Sequence, residues 1–261
     1  MALQRILAAI VCFRYDSGRM SSSPIPLIFF MPVESYDVAK LPANARDVSS
    51  AEFRHAVSDQ IRKTFEPYGG KLKILIDQRN ITVTWVPSAD SPTPLDLAIQ
   101  LLRSRKLQEA VPILETLLKA APNNPAVLRN LGMAFSDLRQ YGRAIELLER
   151  ATELDADAVD GWTSLGVALY RHARKEEAAK AFERALALDP RNAHAHRNYG
   201  VFLADGGDLK EAEKHFRAAL ADDPHDSHSL LGLGVCLRKQ DRTMEADEFF
   251  QQVISLAWLS Y

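Results

Sequence analysis

Residues 159–192 read VDGWTSLGVALYRHARKEEAAKAFERALALDPRN, and their pattern decides the fold because it recurs. Gly166 is one of a series, with Gly132, Gly200 and Gly234, in which each glycine stands 34 residues from the next. Twelve residues after each comes an alanine: Ala144, Ala178, Ala212 and Ala246. Four residues later comes a large apolar side chain: Leu148, Phe182, Phe216 and Phe250. Carried backward, the register meets Ala98, Ala110 and Leu114, and Pro122, Pro190 and Pro224 share one phase with Ala156. Five units follow, 91–124, 125–158, 159–192, 193–226 and 227–260. Each holds two apolar-periodic segments of helix length around a polar turn such as Asp205-Gly206-Gly207-Asp208. Leu165 and Leu169 share a helix face, and Ala178, Phe182 and Ala185 form a second stripe. Asp189-Pro190 ends the second helix, because the residue before proline leaves the helical region. A mid-helix glycine costs about 1 kcal/mol against alanine, so four in phase point to a close approach of the paired helix, at Ala178. No pair can bury its stripe alone, so stacked pairs must share a core.

This pattern resembles the tetratricopeptide repeat (TPR) family, whose 34-residue motif reads W-x2-L-G-x2-Y, then A, F, A and P. The match is closest in 159–192, through Trp162, Leu165, Gly166, Leu169, Ala178, Phe182 and Ala185. It departs where Pro94 takes the tryptophan place, and where Ala156 and Trp258 take proline places. The resemblance implies a mostly α protein: a right-handed superhelical α-solenoid whose first helices line a concave groove. It implies a non-enzymatic scaffold or adaptor, needing no cofactor, that holds a peptide segment or protein partner. Carried over by phase, the groove positions are Arg129, Asn130, Met133, Asp137, Thr163, Ser164, Tyr170, Arg171, Arg174, Arg197, Asn198, Val201 and Asp205, with Val167 and Lys239 in the same phases.

Two features of that groove bear on its ligand. Asn130, Ser164 and Asn198 share one phase, a partial likeness to the family's asparagine ladders. An asparagine amide can pair with an extended peptide backbone without reading its sequence. The alternative is solvated positions or bonds within each repeat. Arg129, Arg171, Arg174 and Arg197 stand among Asp137, Asp160 and Asp205. Arginine forks suit carboxylates, so an acidic peptide or a terminal carboxylate is one reading, and mixed-charge pairing along a wet face is the other. The family's clamp for chaperone tails is matched only in part by Arg129, Met133, Ser164, His194 and Asn198.

Residues 24–87 follow a different rhythm. Pro24 to Val33 is apolar and β-prone. Ser49-Ser50-Ala51-Glu52 has capping-box spacing, and Phe53, Val57, Ile61 and Phe65 then recur every four residues until Gly69-Gly70. Leu72, Ile74 and Ile76, and then Ile81, Val83 and Trp85, alternate with polar residues as strands do. Asp77-Gln78-Arg79-Asn80 suits a hairpin. The expectation is a small α/β unit, strand-helix-strand-strand, followed by a Pro/Ser linker over 88–94 and a solenoid over 91–261. Three strands make a thin sheet, so the unit should lean on the first repeat or on a partner. Residues 1–23 read as a frayed, disordered leader. Self-association is expected through this unit or through the apolar tail Ala257-Trp258-Leu259-Ser260-Tyr261.

Composition narrows the classes. At 47% hydrophobic and 25% charged the chain is globular. Its formal charge of −2 lacks the basic excess of a nucleic-acid binder. Two cysteines, Cys12 and Cys236, cannot frame a disulfide scaffold. The apolar run Ile6–Phe13 is too short to span a membrane and lacks a cleavage site, so a cytoplasmic protein is expected. An exported assembly factor is the alternative. No phosphate loop, zinc-protease, serine-hydrolase or dinucleotide motif is present, so no catalytic or metal residue is assigned. His194 and His228 share a phase and could approach each other, although no carboxylate or cysteine completes a ligand set. The other alternative is a small catalytic unit in 24–87 built on His55, Asp59, Glu66 and Asp77, with the repeats as substrate adaptor.

Overall fold

The computed structural model describes residues 27–66, 69–86 and 92–258. The leader reading and Cys12 lie outside them, as do most of the linker and the last three residues of the tail. The chain divides into two compact units, Met1–Pro122 and Asn123–Tyr261.

In the first unit, β1 (Leu27–Pro32) is followed by three 3-10 turns, then α1 (Ala51–Phe65), β2 (Lys71–Ile76) and β3 (Asn80–Val86). The sheet order is β1-β3-β2, antiparallel throughout, with Leu27 opposite Trp85 and Leu72 opposite the same residue on the other side. The cap of α1 sits one residue later than the capping-box spacing suggests: the Ser50 hydroxyl, not that of Ser49, accepts from the Phe53 amide at 2.9 Å. Asp77 makes the hairpin turn by accepting from the Arg79 and Asn80 amides, both at 2.7 Å. Those two bonds hold its carboxyl below the usual aspartate range. Gly69 and Gly70 adopt left-handed backbone, and the Gly69 carbonyl receives the Trp85 indole N–H at 2.7 Å.

One face of the sheet is dry. Phe53, Val57, Ile61 and Phe65 of α1 pack on Ile81, Val83 and Trp85, all at most 2% exposed. The helix pair α2 (Pro94–Arg103) and α3 (Leu107–Ala120) contributes to this same core: Leu97 is buried in it, with Leu101 and Ile113 packed against it.

Among its described residues the second unit has eight helices in four pairs: α4 (Pro125–Asp137) with α5 (Tyr141–Leu154), α6 (Val159–Arg171) with α7 (Lys175–Leu188), α8 (Ala193–Gly206) with α9 (Leu209–Asp222), and α10 (Ser227–Lys239) with α11 (Thr243–Trp258). First helices contact the first helices of neighbouring pairs, as a TPR solenoid requires. The repeat period is written into the backbone. Arg105, Arg139, Ala173, Gly207 and Asp241 all take left-handed φ, between 60° and 88°, at the same phase of their turns. The helix starts repeat as well: Asn124, Asn192 and Asp226 each accept a hydrogen bond from the amide three residues on, while Ala158 at the same phase has nothing to offer.

The phased glycines do mark a close approach, but the group that fills the space is the large residue four positions beyond the alanine. A Cβ on Gly166 would lie 2.7 Å from the Phe182 ring, and one on Gly234 would lie 2.6 Å from Phe250. At Gly132 the intruder is Leu148, and at Gly200 it is Phe216.

Candidate functional site

The first helices α4, α6, α8 and α10 lie side by side, and each presents the same three helical positions on one face. The middle position is apolar in all four: Met133, Val167, Val201 and Val235. Met133 is 45% exposed and Val201 41%, far from the fully buried core beneath them. Val167 and Val235 are half-buried. Leu231, at the phase of Arg129 and Arg197, adds a further exposed apolar side chain. Sequence reasoning placed Met133, Val167 and Val201 among the groove positions without joining them into a stripe, and it missed Val235. The stripe was present in the 34-residue phase, but polar groups drew the reading elsewhere.

Asn130, Ser164 and Asn198 flank this stripe. Asn130 is buried and its Nδ2 donates to the Ala126 carbonyl at 2.7 Å. Asn198 is half-buried and donates likewise to the His194 carbonyl at 2.7 Å. A carbonyl only accepts, so the nitrogen of each amide faces it and spends one of its two N–H groups there, which leaves Oδ1 and the second N–H for a ligand. Thr163, also buried, spends its hydroxyl on the Val159 carbonyl at 2.9 Å.

The charged residues are paired with one another between neighbouring first helices and their caps. Arg171 donates to Asp137 Oδ1 at 2.8 Å and reaches Ser136 at 3.2 Å. Arg197 meets Asp226 at 3.0 Å, and Arg129 lies 3.7 Å from Asp160. Burial pushes the Asp226 carboxyl up, but the Ser229 hydroxyl and the Arg197 guanidinium outweigh it and hold it below the usual range. The Tyr170 hydroxyl donates to Asp205, and burial together with that carboxylate pushes the phenol up to about 12. Arg174 is not brought to this face. Its guanidinium grips Glu177 through two bonds of 2.7 and 2.6 Å and lies 3.8 Å from Glu149, both on second helices.

Other candidates from the sequence fall in different settings. His194 and His228 are exposed, and His228 lies 3.8 Å from Asp226. The histidines that meet are His196 and His215, whose Nδ1 atoms are 2.8 Å apart. Cys236 is fully buried with Ala212, Phe216 and Leu233, and burial pushes its thiol up, away from nucleophilic use. In the first unit His55 and Asp59 pair at 3.0 Å beside an open cavity of about 600 Å³ under Leu41 and Ala45. Asp77 is occupied in its turn. Among the described residues no helix is long and apolar enough to cross a membrane, and no group of three or more His, Cys, Asp or Glu side chains could hold a metal ion.

Two family models, both described as tetratricopeptide repeat, match residues 163–227 and residues 101–166 and 203–257. Solved structures of the same fold include TTC0263, a thermophilic TPR protein in Thermus thermophilus. It has 24% identity and a TM-score of 0.59, over 63% of this chain and 90% of that one. MamA from Desulfovibrio magneticus RS-1 has 22% identity and a TM-score of 0.51, over 63% and 93%. No curated protein matches in sequence.

Proposed function

The chain belongs to the tetratricopeptide repeat family, and from that premise we propose that it is a non-catalytic adaptor that holds a peptide segment of a protein partner on the face of its first helices. The family and the fold support a protein-interaction scaffold. The observation that carries the finer reading is the repeated full or partial exposure of an apolar side chain, Met133 to Val235, at one position of every first helix in the second unit. A solvent-facing position gains nothing from Met or Val unless something covers it, and covering the part still exposed, under half of each side chain, stabilises by roughly 1 kcal/mol apiece. The scaffold is preformed, so the ordering cost of binding falls on the peptide.

Photo-crosslinking tests the placement. A photoreactive amino acid at Val201 should capture the partner from the native cell extract, while the same probe at the exposed Lys180 of α7 should not. Capture from Lys180 and none from Val201 would put the binding surface on the second helices.

A further inference from the structure

We propose that the first-helix face of the second unit selects one class of ligand: an extended, weakly charged peptide in the polyproline II conformation with an apolar residue at every third position. This rests on the peptide-binding reading above and specifies its ligand.

Three observations lead to it. The first is charge. Arg129, Arg171 and Arg197 are bound to Asp160, Asp137 and Asp226 between neighbouring first helices and their caps, and Tyr170 is bound to Asp205. An acidic ligand would have to break pairs the solenoid already makes, and each displaced carboxylate would then sit beside the incoming one. Charge at this face is therefore balanced before a ligand arrives, and a weakly charged segment fits it.

The second is hydrogen bonding. One N–H of the Asn198 amide is committed to the His194 carbonyl, and one of Asn130, set deeper, to the Ala126 carbonyl. What Asn198 still presents is its Oδ1 and its second N–H, which suit a backbone N–H and C=O. A helical peptide has neither to give along its length, because its amides and carbonyls bond within the helix. A polyproline II segment has no internal hydrogen bonds, so every non-proline amide is available.

The third is spacing. The apolar side chains come one per first helix, and neighbouring helices pack at roughly 8–10 Å. Polyproline II has three residues per turn and rises about 3.1 Å per residue, so its every-third side chains share a face about 9 Å apart. A strand repeats a face every two residues, about 6.7 Å, and its apolar side chains would fall out of step after one rung. Val201 and Asn198 lie three apart on α8, so an apolar anchor and an amide acceptor occur together.

Panning a random phage-displayed peptide library against the full chain, and then measuring the selected peptides on the V201D variant, tests the proposal. Val201 is exposed, so V201D should melt like the parent, and M133D provides a second variant at an equally open position. The expected pool is apolar at i, i+3 and i+6 and poor in Asp and Glu. Its members should bind at least about tenfold more weakly to V201D and several-fold more weakly to N198L, with little change between low and high salt. A pool dominated by acidic, salt-sensitive peptides overturns the charge argument. A pool with period two, or with i, i+4, i+7 helical spacing, overturns the conformation while leaving peptide binding at this face intact. Selection of peptides that bind V201D equally well, or of none at all, overturns both this proposal and the reading it rests on.

Discussion

Ala158 sits at the start of α6 with φ −75° and ψ 100°, the geometry that Asn124, Asn192 and Asp226 use at the equivalent starts. Those three side chains accept from the first turn of their helices; an alanine cannot. Replacing Ala158 by Asn should therefore stabilise the second unit by about 1 kcal/mol, read as a shift of the urea midpoint with unchanged slope. A pair of glycine-to-alanine substitutions separates propensity from packing. Gly142 in α5 has no atom within 4 Å of an added Cβ, so G142A should stabilise by up to about 1 kcal/mol. A Cβ added at Gly166 would lie 2.7 Å from the Phe182 ring, and Phe182 is fully buried. Overpacking costs about 1–3 kcal/mol, which outweighs the same propensity gain, so G166A should destabilise on the same assay. The glycine phase was legible in the sequence because it repeats. The identity of its filler was not, because spacing reports that two helices come close and not which side chain bridges them.

At the scale of the helix pair, α8 and α9 hold a histidine couple with a defined proton arrangement. His196 Nε2 lies 3.0 Å from the Pro190 carbonyl, which can only accept, so Nε2 carries a hydrogen. In the neutral couple His196 Nδ1 is then the acceptor, and His215 Nδ1–H donates to it across 2.8 Å. One proton can be added without disturbing that bond, but two would set N–H against N–H. Burial, then the facing His196, pushes the His215 imidazole down, with Glu211 pulling the other way and Lys214 adding to the depression. Tyr199 packs against His215 with the rings tilted and their centres 4.7 Å apart, and its hydroxyl reaches Glu183 of α7. With the folded value below the unfolded one, the unfolded state binds more protons between the two. Stability is then full above the ordinary histidine value of about 6.5 and falls as pH drops through that window. The melting temperature should decline from about pH 7 to pH 5, and H215F should flatten that decline. The carboxylates Asp226 and Glu213, also held low, act below it, in the ordinary carboxylate range, so the two effects separate on a pH series. The repeat phase had paired His194 with His228. Phase aligns residues on equivalent helices of successive repeats, whereas His196 and His215 meet across the two helices of one repeat, and only packing reveals that.

For the molecule as a whole, periodicity along the chain did not determine which side chains share a core. The sequence pattern counts α2 and α3 as the first of five repeats, and their apolar stripe is where the register places it. Yet Leu97, Leu101 and Ile113 pack into the core built by α1 and the three-stranded sheet. The physical reason is that a thin sheet with one helix leaves apolar surface at its margin, and an amphipathic helix pair also needs a surface to cover. Residues 27–122 are accordingly proposed as the smallest folding unit at this end, rather than 24–87. Leu97 is buried at 8% exposure and the other two are partly buried, so losing the pair should cost roughly 3–5 kcal/mol on area grounds. That is a large share of the stability of a domain this small. A fragment of residues 24–122 should unfold in one cooperative urea transition, followed through the fully buried Trp85. A fragment of residues 24–87 should unfold at a much lower midpoint or lack a cooperative transition. Equal midpoints for the two fragments would show that α2 and α3 cover the sheet without supporting it, and would return them to the solenoid in energy as well as in sequence.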